Sequence, residues 1–352
     1  MIPPTDPLDA ALLGALQDTI PLVERPFHAM ADRLGWAEDE VLARTARLKA
    51  DGVIRQISAI FDTRSLGYAS SLVAARIDPA HVDVAAAVIN RHPGVSHNYL
   101  RNHDYNLWYT IAVPPTSPLG LDGTVAALHR LSGAEATRLL PTVKLFKIGV
   151  RFDMGEESAP AATTGTNKFF SEDDRGEARA LTAVEREFVR LMQKDLPIVA
   201  DPFAEVADEL GIPFTALQEM HAAFLASGRM RRFSAVLHHR KAGFRANAMG
   251  VWAGPRDDDA ELDRLGRIMA GFKAVSHCYQ RPSYPDWPFN LFTMVHGKST
   301  GDCETVLAEI AAATGICHRD ALYSSVEYKK VRVRYFTGEE EKWERENACA
   351  GD

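Results

Sequence analysis

Cysteine is scarce and one-sided in this chain of 352 residues: Cys278, Cys303, Cys317 and Cys349 all fall in its second half. They show no CxxC or other metal-ligand spacing, so they read as free thiols in a reducing compartment rather than a disulfide framework or thiolate metal site. Positive charge is short as well. With 40 Lys and Arg against 47 Asp and Glu, the net charge is -7 and the pI about 6.0, which argues against a protein whose main task is neutralising phosphates. No apolar run approaches a membrane span, and Met1 to Asp9 lacks the basic start and apolar core of a signal peptide, so the expected location is cytoplasmic. What remains, 46% hydrophobic and 25% charged residues, is an ordinary globular composition in a chain long enough for several domains.

The chain is written twice. Ile20-Pro21-Leu22-Val23-Glu24-Arg25-Pro26-Phe27 returns as Leu196-Pro197-Ile198-Val199-Ala200-Asp201-Pro202-Phe203, displaced by 176 residues. The echo persists through Leu34-Gly35 and Leu210-Gly211, Gly52 and Gly228, Ser58-Ala59 and Ser234-Ala235, and Gly67 and Gly243. Its offset grows to 180 at His97 and His277 and to 184 at Asn106 and Asn290, as small loop insertions produce.

Each copy opens with three helical stretches, in the first Asp9 to Thr19, Pro26 to Leu34 and Ala37 to Ala50, followed by a strand from Val53 to Phe61. That is the outline of a winged helix-turn-helix. The pattern then predicts strand (Ser70 to Ile77), helix (Val82 to Arg91), two strands (Val95 to Arg101 and Tyr105 to Val113), helix (Leu121 to Leu131) and strand (Val143 to Phe152). This βαββαβ order specifies a ferredoxin-like antiparallel sheet with both helices on one face, leaving the other face to be covered. The second copy is expected to close with a strand from Val326 to Tyr335. The fold class is therefore α+β, a tandem duplication of helix-turn-helix and ferredoxin-like domains. The expected boundaries are 1–64 and 65–154 for the first repeat, 155–178 for a flexible linker, 179–241 and 242–338 for the second repeat, and 339–352 for a charged, solvated tail.

The repeated motif with chemistry in it is Val95-Ser96-His97-Asn98-Tyr99-Leu100-Arg101, echoed as Val275-Ser276-His277-Cys278-Tyr279-Gln280-Arg281. Side chains two apart share a strand face, so His97, Tyr99 and Arg101 point together, as do His277, Tyr279 and Arg281. A titratable imidazole, a phenol and a fixed cation thus converge twice.

The helix-turn-helix with Gly52-Val53-Ile54, Ala59 and Leu66-Gly67, followed by the βαββαβ domain, resembles the Lrp/AsnC family of transcriptional regulators in each repeat. The His-x-Tyr-x-Arg strands and the segment from Tyr284-Pro285-Asp286-Trp287-Pro288 to Phe289-Asn290-Leu291-Phe292 resemble more closely the siroheme decarboxylases, in their fused two-subunit form. The resemblance implies removal of CO2 from the acetate side chains at C12 and C18 of siroheme, giving 12,18-didecarboxysiroheme for heme d1 or an alternative heme. It implies no organic cofactor, since the substrate carries its own iron.

Under that resemblance, Arg101 and Arg281 are placed to hold substrate carboxylates, for which the planar guanidinium fork is well shaped; the alternative is that each pairs with an acid across the sheet. His97, His277 and His103 are candidate proton donors or structural histidines, and either His97 or His277 is a candidate ligand of the substrate iron. Tyr99 and Tyr279 either relay a proton or pack the sheet. Cys278 stands on the opposite face from His277, which disfavours thiolate ligation. Arg231-Arg232 and His238-His239-Arg240-Lys241 form the densest basic cluster, with Arg231 and Arg240 as candidate substrate contacts. Asn290 and Trp287 are further candidates, Trp287 as an apolar wall over the macrocycle. The second-half set is expected to be the productive pocket. Two other classes stand beside the enzyme, a ligand-sensing transcription factor on the same fold and a tetrapyrrole carrier. The fused pair is an internal pseudo-dimer, with a monomer and a dimer of fused chains both open.

Overall fold

The computed structural model describes residues 6–148, 179–237 and 246–347. In the first repeat they form α1 (Pro7–Asp18), α2 (Pro26–Leu34), α3 (Glu38–Ala50), β1 (Ile54–Phe61), β2 (Ala69–Arg76), α4 (Val82–Asn90), β3 (Val95–Arg101), β4 (Leu107–Val113), α5 (Gly120–Ser132), β5 (Ala136–Leu140) and β6 (Lys144–Ile148). The second repeat runs α6 (Ala183–Met192), α7 (Ala204–Leu210), α8 (Phe214–Ala226), β7 (Met230–Leu237), β8 (Ala246–Trp252), α9 (Asp259–Gly271), β9 (Val275–Gln280), β10 (Leu291–Gly297), α10 (Thr300–Thr314) and β11 (Arg319–Lys330). A last helix, α11 (Glu339–Asn347), follows. The α+β duplication is present, but the compact units are not the repeats: like domains from the two repeats combine.

The helix-turn-helix unit joins Met1–Tyr68, Ala178–Arg240 and Arg334–Glu339. Its centre is the antiparallel ribbon β1-β7, in which Ser58 lies opposite Ser234. Each repeat braces the wing of the other, since Ile20 N donates to Phe233 O at 2.9 Å and Leu196 N to Ile57 O at 2.8 Å. The Leu-Gly echo has a backbone cause: α2 and α7 both end in a left-handed residue, Gly35 at φ 72° and Gly211 at φ 63°, a conformation that a Cβ disfavours. Leu12, Leu16, Phe27, Val41 and Leu48 fill the first half of this core, and Phe188, Phe203, Leu217 and Phe224 the second. Burial of each such side chain contributes roughly 1.5–3 kcal/mol.

The ferredoxin-like unit holds both βαββαβ domains on one nine-stranded sheet, ordered β5-β2-β4-β3-β11-β8-β10-β9-β6. The last strand of each repeat straddles both halves. Arg319 to Tyr323 of β11 pair with β8, and Ser324 to Lys330 pair with β3 of the other repeat. In the first repeat the same task is split, with β5 pairing to β2 and β6 to β9. The break falls at Pro141, which has no N–H for a ladder. The expected strand from Val143 to Phe152 is β6, which begins at Lys144, with β5 an additional strand before the break; its end beyond Ile148 lies outside the described residues, as do the expected linker and His238, His239, Arg240 and Lys241. The expected strand from Val326 to Tyr335 is likewise β11, displaced toward the N-terminus; Arg334–Glu339 instead joins the helix-turn-helix unit, where Tyr335 stacks edge-on against Phe61 and Tyr68.

Side-chain alternation sorts this sheet into two faces. Val73, Ala75, Leu107, Tyr109 and Ile111 pack against α4 and α5, and Ala248, Trp252, Leu291 and Val295 against α9 and α10. The other face is covered by a cluster shared between repeats, with Ala74, Trp108 and Leu140 from the first and Met249, Val251, Phe292 and Leu322 from the second.

The C-terminal segment corrects the expectation of a solvated tail. In α11, Glu340, Trp343 and Glu344 are buried, and Trp343 joins the first repeat's helix-side core, edge-on to His92 at 4.5 Å between centroids. Glu344 accepts a hydrogen bond from Ser117, which satisfies a carboxylate that the sequence's run of acids made look solvated. Trp343→Ala should therefore lower stability by about 3–5 kcal/mol, as truncation of a buried aromatic does, whereas an outward substitution such as Lys342→Ala should change it by under about 0.5 kcal/mol. Urea unfolding followed by circular dichroism checks both.

Candidate functional site

The two His-Tyr-Arg sets lie along β3 and β9, Arg281 being the first residue after β9. His97 stacks on Tyr99 with ring centroids 6.1 Å apart, and the Arg101 guanidinium lies 5.7 Å from the Tyr99 centroid. In the second repeat His277 stacks on Tyr279 at 6.0 Å and Arg281 lies over Tyr279 at 4.7 Å. Register places both sets on the inner face: Tyr99 is opposite Trp108, and Tyr279 opposite Phe292, both members of the shared cluster. Asn98 and Cys278 accordingly face the helices. Cys278 donates to Gly266 O, and burial pushes its thiol up to about 12, which keeps it neutral.

Each histidine sits beside a bulge. Between Val95 and His97 β3 advances two residues while β4 advances one, and β9 does the same between Val275 and His277, so Ser96 and Ser276 are the extra residues. A bulge re-aims side chains locally, and here it brings each serine hydroxyl onto the Nδ1 of its own neighbour, at 3.0 Å for His97 and 2.8 Å for His277. Ser96 also meets Thr110 Oγ1 at 2.7 Å, whereas Ser276 meets His296 Nε2 at 2.6 Å. Both arrangements engage the ladder imidazole at its Nδ1.

Electrostatics separate the two sets further. Arg101 is buried and bonds the Leu322 carbonyl at 2.9 Å; its Nε has no partner among the described residues, and burial pushes its pKa down to about 10. Among the described residues its bond is to that carbonyl and its electrostatic neighbour is Tyr99, with no ion pair to a carboxylate, so for Arg101 the alternative of a cross-sheet acid does not hold. Arg281 makes the matching bond to Leu140 O. Tyr99 is pushed up to about 12, first by burial and then by Glu327 on β11, and so remains a phenol. His277 is pushed down to about 4, first by burial and then by His296.

Other expected site residues are placed differently. Trp287, expected as an apolar wall, is fully buried in the shared cluster, with Trp108 at 5.2 Å, Phe289 at 5.0 Å and Tyr105 at 5.6 Å between centroids. The loop carrying it is fastened to the first repeat, because Asp286 accepts from Arg138 Nε at 2.8 Å and Tyr105 OH at 2.7 Å. His103 packs edge-on against Trp287 at 5.2 Å while its Nδ1 accepts from Tyr105 N. Asn290 spends its amide on the backbone of Gly254 and Pro255, as Asn106 does on Ile77, so both are turn clamps in this structure. Arg231 belongs to the helix-turn-helix unit and pairs with Asp62 at 2.5 Å. Arg240 lies outside the described residues. The sequence reading missed His296 and Arg138, whose positions carry no echo in the other repeat.

Comparison with known proteins agrees with this geometry. A model of the siroheme decarboxylase NirDL-like helix-turn-helix domain matches residues 9–55 and 185–231, and the AsnC-like ligand binding domain matches 65–147 and 241–329. The siroheme decarboxylase of Hydrogenobacter thermophilus is 38% identical over 335 residues, covering 95% of this chain and 97% of the relative. The chain belongs to the siroheme decarboxylase family. The siroheme decarboxylase NirDL subunit of Paracoccus denitrificans is 33% identical over 87% of this chain and 90% of its own length. The crystal structure of the siroheme decarboxylase NirDL superposes with a TM-score of 0.78 at 34% identity, covering 97% of this chain and 98% of that one. The same enzyme in complex with an iron-uroporphyrin III analogue gives the same TM-score.

Membership of the siroheme decarboxylase family fits the state of the helix-turn-helix segments. The helix in the recognition position of the second repeat, α8, contains no Lys or Arg. In the first repeat, α3 opens with Glu38, Asp39 and Glu40, and its Arg44 and Arg47 are bound to Asp9 at 2.8 and 2.6 Å. Neither helix presents cations for phosphates. Among the described residues, no helix is long and apolar enough to cross a membrane.

The lowered pKa of His277 has a stability consequence. Its folded value of about 4 lies below the ordinary 6.5, so the unfolded chain binds the proton more tightly; stability is full above about pH 6.5 and falls as pH drops toward 4. His277→Asn should remove roughly 2 kcal/mol of that pH dependence, read as the difference between variant and parent in urea unfolding free energies at pH 4.5 and pH 7.

Proposed function

We propose that this chain, a carboxy-lyase of the siroheme decarboxylase family, removes CO2 from the C12 and C18 acetate side chains of siroheme to give 12,18-didecarboxysiroheme, a step toward heme d1 or an alternative heme. The observation that carries the reading is the duplicated His-Tyr-Arg ladder, each with its histidine held by a bulged serine and its arginine on a backbone carbonyl of the other repeat, Leu322 for Arg101 and Leu140 for Arg281. Support also comes from the family match over both repeats and from the iron-uroporphyrin III analogue bound by the related NirDL.

Chemically, each step breaks the bond between the acetate methylene and its carboxylate, releases CO2, and replaces it by one proton, leaving a methyl group. Arg101 and Arg281 hold the carboxylates that do not react, through charge-assisted hydrogen bonds that a lysine would make less specifically. The reacting acetate lies against the apolar cluster of Trp108 and Phe292, where poor solvation disfavours the carboxylate charge and favours its loss as neutral CO2. His97 and His277 manage the incoming proton and the substrate iron, and Tyr99 and Tyr279 orient them. The second-repeat set, His277 with Tyr279 and Arg281, is the main reaction centre on this reading.

Mixing the purified chain with siroheme and following mass should show loss of two CO2 per tetrapyrrole; binding without mass change would leave a carrier instead. Arg101→Ala and Arg281→Ala should each weaken siroheme binding by roughly 10- to 100-fold, the equivalent of a lost charged hydrogen bond, while His277→Ala should lower turnover by about 100-fold or more with binding largely kept. If His97→Ala abolishes both decarboxylations while His277→Ala stays fully active, the assignment of halves is reversed.

A further inference from the structure

The inner face of the second repeat carries a polar chain that the first repeat does not. Asn247 on β8 and His296 on β10 are direct cross-strand partners, so their side chains share a face. Asn247 Oδ1 lies 2.5 Å from His296 Nδ1, His296 Nε2 lies 2.6 Å from Ser276 Oγ, and Ser276 Oγ lies 2.8 Å from His277 Nδ1. In the corresponding place the first repeat pairs Ala112 with Ser70, and Ser96 meets a second hydroxyl, Thr110, in place of an imidazole.

We propose that His296 and Asn247 are positioning residues for His277: through Ser276 they hold its imidazole in the Nδ1–H form, so that Nε2 presents a lone pair, not a hydrogen, to the substrate's iron. The donors follow in order. An amide oxygen only accepts, so His296 Nδ1 carries the hydrogen and its Nε2 is the acceptor. The Ser276 hydroxyl gives its hydrogen to that Nε2, and its oxygen takes the hydrogen on His277 Nδ1. Every partner along the chain is neutral, an amide, a hydroxyl and a second imidazole. A neutral imidazole with Nδ1 protonated has a bare Nε2, the arrangement that outer partners impose on metal-binding histidines. Ser96 and Thr110 are hydroxyls that either give or take, so they impose no such form on His97. The proton that each decarboxylation consumes then comes by way of the first-repeat histidine, while the second holds the iron of the tetrapyrrole at the main reaction centre. This division of roles rests on the decarboxylase reading; the tautomer itself does not.

The experiment reads the tautomer first, in the full chain labelled with 15N-histidine and free of tetrapyrrole. Long-range proton-nitrogen correlations should show His277 with a protonated Nδ1 and an unprotonated Nε2. His296→Ala and Asn247→Leu should convert it to a mixture or to the Nε2–H form, and Asn247→Asp, which keeps an acceptor on His296, should retain the parent form. With siroheme, His296→Ala should lower kcat by roughly 10- to 100-fold with KM within about twofold, and Asn247→Asp should retain most activity. Titration with iron-uroporphyrin III tests the iron: a visible spectrum altered by His277→Ala supports the iron-facing lone pair, and an unaltered one overturns it. Nε2–H on His277 in the parent chain, or a tautomer unmoved by His296→Ala, overturns the proposal. Siroheme bound but never decarboxylated would sink the catalytic reading and leave the tautomer result standing.

Discussion

Everything in the ferredoxin-like unit depends on one feature of strand pairing, that the closing strand of each repeat belongs to two half-sheets at once. β11 gives five residues to β8 and its remaining length to β3, while β5 and β6 divide the same work across Pro141. Backbone hydrogen bonds therefore tie the repeats together along the strands that border the His-Tyr-Arg ladders. Arg101 and Arg281 fasten to those same closing strands through Leu322 and Leu140. A guanidinium that is already directed by a rigid carbonyl loses less freedom when a carboxylate arrives, which is the use of building a site on strands rather than on loops.

The two ladders share a plan and differ in surroundings. Around Tyr99 lie Trp108 and Glu327, and around Tyr279 lie Phe292 and Leu145. The loop between β9 and β10 has no counterpart of its length between β3 and β4, and it delivers Trp287 into the shared cluster, held by the Arg138-Asp286-Tyr105 network. Duplication made the scaffold symmetric, and a handful of substitutions on its inner face made the chemistry asymmetric.

Much of this was legible from the residues. The echo fixed the duplication, the strand period put His97, Tyr99 and Arg101 on one face, and the Leu-Gly pairs marked helix ends that need a left-handed residue. What escaped has physical reasons. β5 begins three residues after Gly133 and stops before Pro141, so its five residues offer too short a pattern to read. The first half of β11 carries Arg319 and Asp320, which look like loop although their backbone is paired. In α11 one tryptophan among acids decides burial, and composition averages it away. His296 and the Ser276 bulge are tertiary facts, because a hydrogen-bond chain between three strands leaves no trace in spacing along any one of them.

Strand exchange also orders events in time. During synthesis β3 is complete once Arg101 has emerged, yet the partner for its outer edge, Ser324 to Lys330, is more than two hundred residues away. At ribosomal rates of about 5–20 residues per second that edge stays open on the order of tens of seconds. An unpaired edge is a template for any passing strand, including β3 of a second nascent chain. Fusing the two repeats keeps the rightful partner on the same polypeptide, so the edge is closed by an intramolecular event whose rate does not depend on how many other chains are being made.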